Sequence, residues 1–137
     1  MENDALKKKF KNVDFLNQSL FVFRCPINEF KKIKEYYKTI NWNEIKSRGK
    51  KTSNSRISSG KSFIPESKSL HNLKELEGFF LWTNECLNIV REEVGWNKKY
   101  IPNLSVSQSW INRSEIGQFH HEHYHMLSIL SGVLYLT

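Results

Sequence analysis

The spacing of apolar residues along the chain predicts its elements. Ser19 to Cys25 is a short apolar run closed by Pro26, which predicts a buried or edge strand that ends at the proline, since proline has no backbone N–H to donate to a ladder. Over Glu29 to Ile40, the residues Phe30, Ile33, Tyr37 and Ile40 recur at intervals of three and four. That is the spacing of one face of an amphipathic helix, with Asn28 as its N-cap. A second, longer helix is predicted from Ser69, where Leu73, Leu76, Phe80, Leu87, Val90 and Val94 keep helical spacing as far as Gly95. Farther along, Leu104 to Asn112 alternates apolar and polar residues, Arg113 to Gly117 reads as a polar turn, and Phe119 to Leu127 and Ile129 to Leu136 form two more strand-like runs. Between the helices, residues 46–62 are mostly Ser, Lys, Gly, Asn and Arg. Such a stretch buries too little surface to offset its ordering entropy, so a mobile polar loop is expected. It holds Gly60-Lys61-Ser62, but a phosphate-binding P-loop needs a glycine five residues before Gly60, where Ser55 stands. No nucleoside-triphosphate site is expected there. The order of elements predicts an α+β chain, residues 1–137 forming a single domain whose helices pack on a sheet.

Composition narrows the function classes. With 39% hydrophobic and 13% aromatic residues, the chain has enough large side chains for a core, which excludes disorder over its whole length. Apolar runs such as Leu20-Phe21-Val22-Phe23 and Gly78 to Trp82 fall far short of the ~20 residues of a membrane helix. The start, Met1-Glu2-Asn3-Asp4, has no apolar signal core behind it, so a cytoplasmic protein without a membrane partner is expected. Cys25 and Cys86 stand far apart and outside any Cys-x-x-Cys spacing, and are expected to be plain buried thiols. The 21 basic and 14 acidic side chains leave a net charge of +7. That is compatible with a nucleic-acid partner, although lysines on solvated helix faces and a polar loop account for most of it.

The chemistry concentrates in His120-His121-Glu122-His123-Tyr124-His125, which holds four of the five histidines. On a strand, residues two apart project from one face with Cα atoms roughly 6.5–7 Å apart, so His123 and His125 can converge on one metal ion while His120 and Glu122 point away. Neutral imidazole suits iron, zinc, copper or nickel. The cluster alone fits equally a solvent-exposed, His-rich hairpin that binds metal adventitiously. His71, at the start of the second helix, is read as a surface residue.

The context of the cluster resembles a known family. Ser109-Trp110-Ile111-Asn112, Gly117, His123-x-His125, Ser128, Ser131-Gly132-Val133 and Tyr135-Leu136 resemble the W-x-N…G…H-x-H…S-G-V-x-Y signature of a phage and bacterial group of iron- and 2-oxoglutarate-dependent oxygenases. The resemblance implies an amino-terminal strand and helices packed on a double-stranded β-helix, or jelly roll. It also implies Fe(II) held by His123 and His125, with 2-oxoglutarate as co-substrate. In the alkylation-repair branch of that superfamily an asparagine five residues before a glycine helps to hold 2-oxoglutarate, and the metal histidine follows the glycine by six. Asn112, Gly117 and His123 keep both intervals. Tyr135, sharing strand parity with Ser131 and Val133, is expected to line the same cavity.

The sequence also departs from the pattern. His125 stands where most of the superfamily has a carboxylate, and Ser114 stands where the repair branch has a tyrosine. Family members carry a third ligand, a histidine, and a basic partner for the 2-oxoglutarate carboxylate well beyond the S-G-V-x-Y strand. Residues 126–137 contain no histidine, lysine or arginine. The resemblance therefore implies an incomplete jelly roll, an amino-terminal fragment completed by a downstream polypeptide, with an uncovered apolar face around Leu130, Val133, Leu134 and Leu136. Two alternatives remain at this point. A cupin-like metal-binding protein shares Gly117, five residues and His123-x-His125, but has a glutamate where Ile129 or Leu130 stands. A basic nucleic-acid-binding module without catalysis would leave the histidines unused.

Overall fold

The computed structural model describes residues 10–15, 18–45, 60–65, 69–118, 125 and 128–136, and they form an α+β arrangement. The regular elements are two helices and two separate antiparallel strand pairs. Strand β1 (Phe10–Phe15) pairs with β2 (Gln18–Phe23) in a register running from Phe10 opposite Phe23 to Phe15 opposite Gln18. The sequence pattern predicted β2 and not β1. Along β2, Leu20 and Val22 are exposed while Phe21 and Phe23 are half-buried, the alternation of a strand with one covered face.

Helix α1 (Ile27–Thr39) begins two residues earlier than expected, with Pro26 rather than Asn28 at the N-cap. The proline's fixed φ of −56° suits a helix entrance, and its carbonyl accepts the first helical bond from Phe30 N–H at 2.9 Å. Of the predicted apolar face, Ile33 and Ile40 are buried, and Phe30 and Tyr37 are half-buried.

The second helical region differs from a single long helix. Leu70–Asn72 and Lys74–Leu76 are 3-10 turns, and α2 proper runs Glu77–Glu93. Ser69 caps the first turn by position only, with no side-chain cap bond. Its hydroxyl is engaged elsewhere, as described below. The buried face of α2 is Phe79, Phe80, Cys86, Ile89 and Val90, whereas Val94 lies past the last turn and is exposed. There Gly95 takes a φ of +74°, Gly95 N–H donates to the Glu92 carbonyl, and Trp96 N–H donates to the Arg91 carbonyl. This is the Schellman closure that glycine makes cheap. Near the start of α2, Gly78 permits a close approach to α1, since a Cβ there would stand 2.7 Å from the Glu29 carboxylate.

The expected loop over 46–62 ends earlier than its composition suggests. Residues 46–59 lie outside the described residues, but Lys61–Phe63 form β3, antiparallel to β4 (Ile111–Arg113). Lys61 Nζ donates to the Trp42 carbonyl at 2.5 Å, and Phe63 lies against Tyr36 and Trp42. Tertiary contacts thus make a strand of a segment that is polar in sequence. The strand expected over Leu104 to Asn112 has ladder partners only from Ile111. Upstream, backbone N–H groups turn to helix α2 instead: Leu104 N–H donates to Asn88 Oδ1 at 3.4 Å and Val106 N–H to Asn84 Oδ1 at 3.1 Å. Asparagines four apart on a helix meet alternate N–H groups of a chain running beside it.

The core joins Ile33, Ile40 and Trp42 to Leu70, Leu76, Phe79, Phe80 and Ile111. Leu134 and Leu136 pack against it, so half of the apolar face expected to lie uncovered is covered. No strand is formed by residues 128–136, contrary to the expectation for Ile129 to Leu136. Arg91 is buried near the end of α2, and its guanidinium donates to the carbonyls of Ile101 and Pro102. It thereby pins the turn that follows the helix. Among the described residues no helix is long and apolar enough to cross a membrane.

Both cysteines are free; Cys86 is buried and Cys25 half-buried. Burial, then the nearby Glu85 and Cys25, push the Cys86 thiol from 9.0 up to about 12. The unfolded chain releases this proton near 9 and the folded chain near 12. Stability from this group is therefore full below pH 9 and falls as pH rises through that window. In urea titrations, the wild-type midpoint should fall more steeply above about pH 9 than that of Cys86→Ala. Parallel slopes would show that the thiol does not contribute.

Candidate functional site

Strand β4 and the residues just before it carry several of the candidate residues. Ile111 is buried in the core and Arg113 lies over the Trp42 ring at 5.9 Å, so the odd-numbered side chains of β4 face the helices. Asn112, between them, is exposed.

The helix-facing side is held by a cluster that the sequence pattern did not reveal. Ser109 N–H donates to Ser69 Oγ at 2.9 Å, Ser109 Oγ accepts from the His71 N–H at 3.0 Å, and Leu70 N–H donates to the Ser109 carbonyl at 3.2 Å. Ser69 Oγ lies 2.7 Å from His71 Nδ1. His71, expected at the surface, is half-buried, with its ring edge-on to Phe80 at 5.9 Å. A serine hydroxyl against an imidazole has the outline of a nucleophile and its base. Ser69, however, is only 4% exposed, so no substrate carbonyl reaches its hydroxyl. The cluster acts as a clamp that fixes the strand. Its signal is a buried serine, Ser69, bonded to the half-buried Ser109, and their spacing of 40 residues hides the pair from any local motif.

On the opposite side, Asn112 sits across from Ser62 in the β3–β4 register. Its Oδ1 accepts from Ser62 Oγ at 2.7 Å, and the residue is exposed, which leaves its amide open to a second partner. His125 is half-buried, and its ring stands against the Trp110 ring with centroids 5.4 Å apart at 40°. Of the predicted site residues, Asn112 thus lies on the exposed side of β4 and His125 lies against Trp110, the residue that precedes β4, while His71 bonds to Ser109, one residue earlier. Gly117, with φ of +82°, closes the turn in which Gln118 N–H donates to the Glu115 carbonyl at 2.9 Å. Ser128 N–H donates to the His125 carbonyl at 3.2 Å. Apart from His125, the strand-like run expected over Phe119 to Leu127 lies outside the described residues.

His123 lies outside the described residues, as do His120, His121, Glu122 and Tyr124. Tyr135 is 76% exposed and shares its outward side with Ser131 and Val133. Among the described residues no three His, Cys, Asp or Glu side chains converge on a point that could hold a metal ion. His125 is the one described member of the expected ligand pair, and an imidazole on an accessible face is a donor suited to ferrous iron. Of the basic side chains, Lys32, Lys38 and Lys98 are paired with Glu29, Glu35 and Glu92. Comparisons with protein-family models, with curated proteins and with solved structures found no match to this chain.

Proposed function

We propose that this protein is an iron(II)- and 2-oxoglutarate-dependent oxygenase of the hydroxylase type, with β3 and β4 forming part of a jelly roll. The observation that supports the reading is a proximity the fold creates: His125, set against Trp110, comes beside the start of the strand that carries Asn112, although Asn112 and His125 are 13 positions apart in sequence. His123 and His125 would hold the metal. When bound, ferrous iron supplies the activation of oxygen that is coupled to conversion of 2-oxoglutarate into succinate. The chain's own part is to bind and orient. Asn112, held by its bond to Ser62, would donate through Nδ2 to a co-substrate oxygen, and Tyr135 would line the open side.

Titration of the full chain with Co(II), an oxygen-stable stand-in for ferrous iron, tests the reading. 2-Oxoglutarate should tighten Co(II) binding, and Asn112→Ala should remove most of that gain while leaving binding of Co(II) alone unchanged. Co(II) binding that is indifferent to 2-oxoglutarate would reject the co-substrate, and absence of Co(II) binding would reject the metal site.

A further inference from the structure

We infer that Trp110 is a positioning residue for His125: its indole face sets the plane of the imidazole that ligates the metal. The inference rests on the metal reading above. Three observations lead to it. Trp110 is not among the core side chains, so filling the interior does not account for so large a residue at this position. Its backbone is held from both sides, by the Ser69–Ser109 clamp before it and by the buried Ile111, paired with Phe63, after it. The indole is therefore anchored at its Cβ, and its half-buried ring turns only about its own two torsions. The ring it meets is His125, at 5.4 Å between centroids and 40° between planes, within the range of favourable tilted aromatic pairs.

The physical consequence concerns entropy and geometry. A free imidazole turns about two side-chain torsions, and a ligand must give up that freedom when it binds a metal. An imidazole already lying against a fixed indole has fewer orientations left to lose. Groups that orient a ligand in this way typically change metal affinity about 10–100-fold when removed. A single ring contact without a hydrogen bond belongs at the lower end, about tenfold.

The test uses the full chain, Co(II) as probe, and two variants that keep apolar bulk. Trp110→Phe retains an aromatic face and should bind Co(II) within about threefold of wild type. Trp110→Leu retains volume without the face and should bind about tenfold more weakly. A metal-free readout accompanies it. The His125 ring protons, assigned by their absence in His125→Gln, should carry an upfield ring-current shift in wild type that is lost in Trp110→Leu and kept in part in Trp110→Phe. Loss of both the shift and the affinity in Trp110→Leu, with recovery in Trp110→Phe, supports the inference. Wild-type affinity in Trp110→Leu overturns it and leaves the metal reading standing, as does equal weakening in both variants, which would mark a purely steric role. A wild-type chain that binds no Co(II) while the shift persists overturns the metal reading and the positioning role with it.

Discussion

The His123→Ala/His125→Ala double variant is expected to lose Co(II) binding by more than a hundredfold, because removing a ligand itself exceeds the roughly 10–100-fold cost of removing groups that only orient one. Two imidazoles make an incomplete site, so wild-type affinity in this chain should already be modest. Isothermal titration at neutral pH reads the difference, since the ligands must be deprotonated to bind. His120→Ala is the control and should stay within about threefold of wild type, because alternation along the expected strand sends residue 120 to the side opposite residues 123 and 125. His125 packs against Trp110, so circular dichroism should confirm that each variant is folded before its affinity is interpreted. Wild-type binding by the His123/His125 variant, with loss in the His120 variant, would relocate the site and withdraw the resemblance's ligand pair.

Leu76→Ala should be the most damaging single core substitution. Leu76 is 1% exposed, at the joint between the second 3-10 turn and α2, within the cluster that links both helices to β4. Truncating a fully buried leucine removes its transfer energy and leaves a cavity, at a cost of 2–5 kcal/mol in comparable sites, here about 3. With a urea slope of about 2 kcal/mol per molar, the midpoint should fall by about 1.5 M. Ile116→Ala, at the tip of the Gly117 turn, is fully exposed and should change stability by less than about 0.5 kcal/mol. A Leu76 effect no larger than the Ile116 effect would mean that the core is centred elsewhere.

What could be read from the sequence was what depends on near neighbours. The three- and four-residue spacing of Phe30, Ile33, Tyr37 and Ile40 found α1, and Gly95 marked the end of the second helix because a left-handed residue is where helices stop. Pro26 reads in the sequence as the end of a strand, yet β2 already ends at Phe23, and the proline instead takes the N-cap position expected for Asn28. The 3-10 turns escaped notice because Leu73 and Leu76 keep the same spacing whether the backbone winds with three or 3.6 residues per turn. Strand β3 could not be read at all. Lys61 and Ser62 are polar, and only Trp42 and Asn112, far away in sequence, give their side chains partners. The same holds for the candidate site. The spacing of Asn112, Gly117 and His125 was visible, whereas the contact of His125 with Trp110 depends on how the turns between them fold.

The clamp at Ser109 also bears on the order in which the domain assembles. Ser69 and Ser109 are 40 residues apart, and Ser62 and Asn112 are 50 apart, with the whole of α2 lying between the members of each pair. Closing loops of this length carries an entropy cost that must be met before the bonds that close them can form. A helix whose contacts are local forms first, and the segment bearing Trp110 and Asn112 docks on it afterwards. That segment is consequently a late arrival in folding, and a ligand that grips it would slow the chain's unfolding at its final seam.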